Sequence, residues 1–163
     1  MRHIISLLVE NEAGALSRIS GLFSARAYNI ESLTVAPTTD PSMSRMTIVT
    51  SGSDSIIEQI NKQVNKLVDV IKVADLSEQK HVERELLLIK ITIVKQTREA
   101  LSQLVAGYNA SIIDDSDNTY TIELSDTSER LEKFINTFDK KQIVEMVRSG
   151  VIGIALGSTT IHI

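Results

Sequence analysis

The chain has 163 residues and a formal net charge of −4, which is enough for one ordinary domain or two small ones. Apolar residues make up 42% and aromatic residues only 4%, so we expect an aliphatic core. The acidic balance argues against a nucleic-acid partner, and the absence of cysteine excludes disulfides and thiolate chemistry. We interpret the first residues as a strand rather than a signal peptide, and no apolar run approaches the roughly 20 residues of a membrane span. We therefore expect a cytoplasmic protein with no membrane partner.

The first half of the chain alternates strands and helices in the order βαββαβ. β-Branched and leucine residues predict a strand over 3–9, and apolar residues at helical spacing predict a helix that ends near Ala27. Gly21 lies inside this helix and predicts a close packing contact with the sheet. The remaining predicted elements are strands over 30–35, 44–50 and 70–73, a turn over 37–41 and a helix over 56–67. This order is the ferredoxin-like plan, in which a four-stranded antiparallel sheet carries both helices on one face.

The same order of elements starts again after the polar stretch 77–84, which we interpret as a linker. The predicted elements of the second half are strands over 86–94, 111–114, 120–124 and 143–147 and helices over 101–108 and 131–138. Asp126 and Glu129 have the spacing of a capping box. The glycine-punctuated tail from Gly150 is assigned to no element. We therefore predict an α+β protein with two ferredoxin-like domains, over 1–76 and 85–163.

Two short matches between the halves indicate an internal duplication. Ala15-Leu16-Ser17 matches Ala100-Leu101-Ser102 at a separation of 85, and Tyr28-Asn29 matches Tyr108-Asn109 at a separation of 80. The smaller second separation predicts that the corresponding helix of the second half is shorter by about a turn.

The turn after the first strand, Asn11-Glu12-Ala13-Gly14-Ala15-Leu16, is a candidate receptor for a free amino acid. Backbone N–H groups at a helix start suit a carboxylate, and Gly14 has no Cβ to keep a ligand from the backbone. Asn11 offers both a donor and an acceptor. On spacing alone an ordinary strand-to-helix turn is the alternative. The aligned second half has Glu99 in place of Gly14 and Gln96 in place of Asn11, which favours a local function for the glycine.

Asn29 lies at the far end of the same helix. It follows Gly14 by about a dozen residues, which at 1.5 Å per residue is on the order of 18 Å. One chain therefore cannot bring both residues to one ligand, whereas two chains packed side by side in antiparallel fashion could. A helix C-cap or turn role is the alternative for Asn29.

The chain resembles the small regulatory subunits of bacterial acetolactate synthase, also called acetohydroxyacid synthase. The resemblance is most specific in residues 8–18, 28–37 and 44–48 and in His81-Val-Glu-Arg-Glu85. Its first half resembles an ACT domain, a ferredoxin-like module that senses amino acids. The resemblance implies that a branched-chain amino acid, usually valine, binds at a homodimer interface. The effector-binding residues that we predict are Asn11, Ala13, Gly14, Ala15, Leu16, Asn29 and Ile30.

The resemblance also implies that the chain is not itself an enzyme. It would activate a catalytic large subunit in valine, leucine and isoleucine biosynthesis and confer feedback inhibition. Thiamine diphosphate, Mg²⁺ and FAD are expected in that partner, and no cofactor in this chain. The turn 37–43 and an exposed Arg45 are candidate contacts with the partner. The three histidines, His3, His81 and His162, lack metal-ligand spacing and are expected at surface or linker positions.

Two other classes of protein share the βαββαβ order. An acylphosphatase-like enzyme would need an arginine in the loop after the first strand, but Glu10 and Glu12 there would repel phosphate and Arg18 lies a turn into the helix. An RNA-recognition module would need aromatic residues on the first and third strands, which have none.

Overall fold

The computed structural model describes residues 1–93 and 98–161, which form two compact units. Unit 1 comprises Met1–Val82 together with the C-terminal segment from Val151, and unit 2 comprises Glu83–Gly150. No helix within the described ranges is long and apolar enough to cross a membrane.

Unit 1 contains a four-stranded antiparallel sheet in the order β2-β3-β1-β4. Its elements are β1 (Arg2–Glu10), α1 (Ala15–Ala25), β2 (Ser32–Pro37), β3 (Met43–Ser51), α2 (Asp54–Val64) and β4 (Val70–Asp75). Alternate residues of the central strand β1, Ile5, Leu7 and Val9, are buried against both helices. Ile19 and Phe23 of α1 fill the same core, as their helical spacing predicts.

Unit 2 repeats this plan in the strand order β6-β7-β5-β8. Its elements are β5 (His81–Thr92), whose first two residues still belong to unit 1, and then α3 (Arg98–Gly107), β6 (Ser111–Ser116), β7 (Thr119–Asp126), α4 (Ser128–Ile135) and β8 (Ile143–Arg148). Asp117 and Asn118, both with positive φ, form the tight turn between β6 and β7. The predicted class, α+β with two ferredoxin-like units, is confirmed.

The structure differs from the predicted ranges 1–76, 77–84 and 85–163 in two places. The predicted linker is structured, because a 3₁₀ helix spans Leu76–Glu78 and β5 already begins at His81. The tail from Gly150 forms a further strand, β9 (Ile152–Ala155), and the Leu156 N–H that follows it donates to the Lys80 carbonyl at 2.8 Å. Val151 packs with Ile4, Val49 and Leu76 on the sheet face opposite α1 and α2. Burial of this apolar residue explains why the tail belongs to unit 1.

Two further details correct the sequence interpretation. Thr127, not Asp126, caps α4, since the Thr127 hydroxyl accepts from the Arg130 N–H. The predicted end of β5 at Val94 lies outside the described residues.

Hydrogen bonds show which positions of the two units correspond. The pairing of β1 with β4 shifts register between Leu8 and Val9, and that of β5 with β8 shifts between Lys90 and Ile91. At the helix ends, Tyr28 N–H donates to the Phe23 carbonyl and Ala110 N–H to the Val105 carbonyl. In each case the corresponding residues are 82 positions apart. Ala25 and Gly107, which end α1 and α3, are also 82 apart.

The duplication is therefore visible in the fold. The separation between corresponding residues is constant at 82 from β1 and α1 to β5 and α3, instead of falling from 85 to 80. The prediction that the second helix is a turn shorter is wrong. The Ala-Leu-Ser match is accidental, because Leu16 is 44% exposed whereas Leu101 is buried. The residue that corresponds to Asn11 is Ile93, and the residue that corresponds to Glu99 is Ser17, whereas Gln96 lies outside the described residues. The predicted pairs Glu99 with Gly14 and Gln96 with Asn11 are therefore wrong.

The predicted packing role of Gly21 is also wrong. Gly21 is exposed in α1, and a Cβ added there would meet nothing within 4 Å. Alanine is favoured over glycine by about 1 kcal/mol inside a helix. Gly21→Ala should therefore raise the free energy of unfolding by about that amount in urea denaturation.

Gly14→Ala is the matched control for this substitution. Its Cβ would lie 2.8 Å from Arg18 Nη1 at a backbone φ of +91°, so it should lower stability. A Gly21→Ala protein that unfolded at lower urea than the wild type would contradict the open position of Gly21.

Candidate functional site

Gly14 begins α1 in a conformation that suits glycine. Its φ of 91° and ψ of −10° lie in the left-handed region, and no side chain caps the helix. The first N–H groups of a helix have no partner within it, and they attract anions. At α4 the Thr127 hydroxyl accepts from one such group. The start of α1 keeps its N–H groups at Leu16 and Ser17 free of any side-chain cap, which suits a ligand carboxylate.

Asn11 connects this turn to the loop between β2 and β3. Its backbone N–H donates to the Ser42 carbonyl at 2.7 Å, and its Nδ2 donates to the Pro41 carbonyl at 3.0 Å. Both bonds orient the exposed side chain, and its Oδ1 accepts no hydrogen bond from any described residue. That oxygen is therefore an acceptor available to an ammonium group.

An ion pair beneath the turn holds it in place. Arg18 of α1 donates from Nε and Nη2 to both carboxylate oxygens of Asp69, at 2.5 and 2.6 Å, and its Nη2 lies 3.5 Å from the Ala13 carbonyl. The Asp69 carbonyl in turn accepts from the Glu10 N–H. The Arg18 guanidinium holds the pKa of Asp69 below its usual value, and Asp69 raises the pKa of Arg18. The pair fixes the first turn of α1 against the end of β1.

The fold does not require this pair. Gln142 corresponds to Asp69 in unit 2, because its carbonyl accepts from Thr92 N–H as that of Asp69 accepts from Glu10 N–H. Ala100 corresponds to Arg18 at the separation of 82. Neither carries a charge, so the pair serves the Gly14 turn specifically. Sequence reasoning missed Asp69 because it lies far from Gly14 along the chain, and the four-residue spacing of Gly14 and Arg18 was the only local signal.

The structure brings five of the predicted effector-binding residues into one turn. Leu16 is 44% exposed and offers an apolar surface. Ala13 is exposed. Ala15 is buried, and its N–H donates to the Glu12 carbonyl at 3.2 Å. Asn11 and Gly14 complete the turn.

Asn29 and Ile30 lie beyond the other end of α1. This helix has 11 residues, which at 1.5 Å per residue is about 16 Å. The C-cap of α1 is Arg26, followed by Ala27 with φ 54°, so Asn29 does not cap it. The Asn29 carbonyl accepts from the Thr50 hydroxyl at 2.6 Å while the residue itself stays exposed. Ile30 is half-buried against the core.

The histidines form no metal site among the described residues, which contain no suitable group of three ligands. His3 is buried, and its Nδ1 lies 2.8 Å from Asp75 Oδ2, so its predicted surface position is wrong. His81 Nδ1 contacts the Gln79 carbonyl at 2.9 Å. His162 lies outside the described residues.

Asp69→Asn tests the role of the ion pair. Because the Arg18 guanidinium lowers the pKa of folded Asp69 below its ordinary value, the pair contributes its full stability above the ordinary carboxyl pKa, and this contribution is lost as the pH falls through the folded pKa. Asp69→Asn should thus be less stable than wild type at pH 7, with the difference disappearing in strong acid.

Urea denaturation across this pH range measures the effect. Glu58→Gln is the control, since Glu58 forms an exposed pair with Lys62 and such pairs contribute little. A deficit of Asp69→Asn that stayed constant down to pH 2 would contradict the ionic role of Asp69.

Comparison with known proteins assigns the family. The model of the AHAS small subunit-like ACT domain matches residues 5–72, and that of the small subunit of acetolactate synthase matches residues 84–157. The chain is 49% identical over 162 residues to the acetolactate synthase small subunit of Haemophilus influenzae, covering 99% of both chains. It is 50% identical over 158 residues to the isozyme 3 small subunit of Escherichia coli, covering 96% of this chain and 97% of that one.

A solved structure agrees with this assignment. The acetolactate synthase small subunit of Thermotoga maritima matches with a TM-score of 0.88 and 36% identity, covering 98% of this chain and 99% of that one. The two-unit fold and the sequence comparisons lead to one conclusion. The chain belongs to the family of acetolactate synthase small subunits, with an ACT domain in its first half.

Proposed function

We propose that this chain is a regulatory subunit of acetolactate synthase and that its Gly14 turn is half of an amino-acid receptor. The observation that carries the proposal is the uncapped, left-handed start of α1 at Gly14. A ligand carboxylate would accept hydrogen bonds from the first N–H groups of α1, where the helix dipole also favours an anion. Asn11 Oδ1 would accept a hydrogen bond from the ligand ammonium.

The turn suits a small aliphatic side chain. Leu16 is exposed beside Gly14, and Ala13 adds a second apolar surface without bulk. Valine fits this description, and so do leucine and isoleucine. Valine differs from leucine and isoleucine by one methylene, which is worth about 0.8 kcal/mol when buried. We propose valine as the effector.

A second copy of the chain would complete the receptor. Asn29 and Ile30 lie at the opposite end of α1 from Gly14, so each copy would lend them to the turn of its neighbour. The strand β2 next to Asn29 is an edge of its sheet, and edge strands offer unpaired backbone groups to a second chain. A ligand held by both copies would favour one arrangement of the dimer, and coupling of this kind is typically about 1–3 kcal/mol.

The names of the relatives support a partner for this dimer. The proteins of Haemophilus influenzae and Escherichia coli are named small subunits of acetolactate synthase, and a small subunit implies a large one. We propose that this chain activates that catalytic large subunit in the cytoplasm and transmits feedback inhibition in branched-chain amino acid biosynthesis. Thiamine diphosphate, Mg²⁺ and FAD would belong to the large subunit.

The acylphosphatase-like alternative has no support from the geometry of the loop. Arg18 is the only arginine near it among the described residues, and its guanidinium is engaged with Asp69 and Ala13. Glu10 and Glu12 are exposed at the same turn and would repel phosphate.

Calorimetric titration with valine, leucine and isoleucine tests the receptor. Gly14→Asp should abolish binding, because its carboxylate would occupy the place of the ligand carboxylate. Gly21→Asp is the matched control, since it adds the same charge to an exposed position of the same helix and should bind as wild type does. Equal binding by Gly14→Asp and wild type, or no binding by wild type, would contradict the site.

The same variant separates sensing from activation. Mixed with the catalytic large subunit, Gly14→Asp should still activate it but should no longer respond to valine. Loss of activation together with loss of response would instead place the Gly14 turn at the contact between subunits.

Mixed dimers test whether each site is shared. Gly14→Asp and Asn29→Ala should each bind no valine alone, but a mixed dimer should recover one site of two, because one turn keeps both its Gly14 and its neighbour's Asn29. Calorimetric stoichiometry measures the recovery. No recovery in mixed dimers that are shown to form would contradict a site built from two chains.

A further inference from the structure

Arg45 of β3 occupies an unexpected position. Met46 and Ile48 of the same strand face the helices. Successive residues of a strand point to opposite faces, so the side chain of Arg45 lies on the other face of the sheet. Its Nε donates to Ser6 Oγ at 2.5 Å, and its Nη2 lies 3.4 Å from the Gly153 carbonyl of the C-terminal segment. The expectation that Arg45 is exposed is therefore wrong, since this segment partly covers it.

No acidic residue in the described ranges neutralises Arg45. Burial lowers its pKa, and no carboxylate opposes that shift. A cation removed from water costs free energy unless it is paired. The two hydrogen bonds above hold the guanidinium in place and leave Nη1 with no bond to a described residue. Arg45 is thus a fixed cation without an acidic partner, and part of its guanidinium N–H donors remain free.

These donors border a small cavity within unit 1. The cavity has a volume of about 160 Å³ and lies between the sheet and the C-terminal segment. Its polar lining beside Arg45 is neutral, namely Gln79, Thr159 and Thr160. The rest of the lining is aliphatic and includes Leu76, Ile154 and Ile161. A cavity of about 150 Å³ holds a six-carbon ring, so this one, at about 160 Å³, has room for a short aliphatic chain together with its carboxylate.

We propose that this cavity is a second ligand site, which takes a short aliphatic carboxylate without an amino group. The guanidinium would bind the carboxylate through its free N–H groups, since Arg matches carboxylate geometry. The aliphatic wall would bury the carbon chain. No carboxylate lines the cavity to balance an ammonium group, so an amino acid would leave its charge buried and unpaired.

Such a ligand would contact two parts of unit 1 at once. Arg45 and Leu76 belong to the sheet and the helix that follows it, whereas Thr159, Thr160 and Ile161 belong to the C-terminal segment. The close approach of this segment depends on Gly153, because a Cβ there would lie 2.7 Å from Leu76 Cδ1. Binding would therefore hold the C-terminal segment against the sheet. Neither Gly14 nor Asn29 lines the cavity, so this inference is independent of the proposed amino-acid receptor.

Valine and 3-methylbutanoate form a matched pair of probes, because they differ only in the amino group. Titration of the full-length protein, followed by calorimetry and by backbone amide NMR, should show saturable 3-methylbutanoate binding that shifts the amides of Thr159 and Thr160. Arg45→Gln should weaken this binding by about tenfold or more, which corresponds to about 1.4 kcal/mol. It should leave the affinity for valine unchanged. Gly14→Asp should instead abolish valine binding and leave the affinity for 3-methylbutanoate unchanged.

Arg45→Gln is expected to fold, since it removes an unpaired cation rather than a paired one. Arg26→Gln is the control, because the Arg26 side chain is exposed and its guanidinium donates to the neutral Gln63 side chain. The proposal is overturned if wild type gives no saturable shift with 3-methylbutanoate or if Arg45→Gln binds it as tightly. Equal binding of inorganic phosphate would also overturn it, because the aliphatic wall would then play no part.

Discussion

Burial of β1 on both faces is the constraint on which unit 1 depends. The strand pairs with β3 on one side and with β4 on the other, and every residue from His3 to Val9 is buried. Ile5, Leu7 and Val9 need the two helices to cover them, which places α1 directly after β1 and creates the turn at Gly14. Ile4 lies on the other face and packs with Val49, Leu76 and Val151. That second face is covered by the C-terminal segment and not by a third helix.

The comparison of the two units separates what the ferredoxin-like plan requires from what unit 1 adds to it. Both units have the same strand order, the same register shift and the same hydrogen bond at the end of the first helix. Only unit 1 has the charged pair Arg18 and Asp69, and only unit 1 has asparagine where unit 2 has Ile93. Since the fold forms without these residues, their presence around Gly14 points to a task other than folding. The ion pair supports the uncapped helix start by fixing its first turn.

The two proposed sites of unit 1 differ in the chemistry that they offer to a ligand. At the Gly14 turn, backbone donors lie beside a free amide oxygen of Asn11, so both charged groups of an amino acid would find a partner. At Arg45, one fixed cation borders an aliphatic cavity whose lining has no acid, so only a carboxylate would find one. The presence or absence of an acceptor for ammonium is the physical difference between the two proposed sites. It would allow one small domain to distinguish an amino acid from the acid that lacks its amino group.

Local patterns in the sequence determined the order of strands and helices, the ferredoxin-like plan, and the glycine turn with Asn11 and Gly14 at its centre. These features depend on residue spacing over one or two turns, which hydrophobic periodicity reports directly. The tertiary structure alone decided which residues of the two units correspond, because the alignment of the units follows from sheet register and not from short runs of identical residues. It also decided that Asp69 supports the turn and that the C-terminal segment covers Arg45. These contacts join residues 51 and 108 positions apart, and such pairs are brought together only when the sheet closes and buries β1.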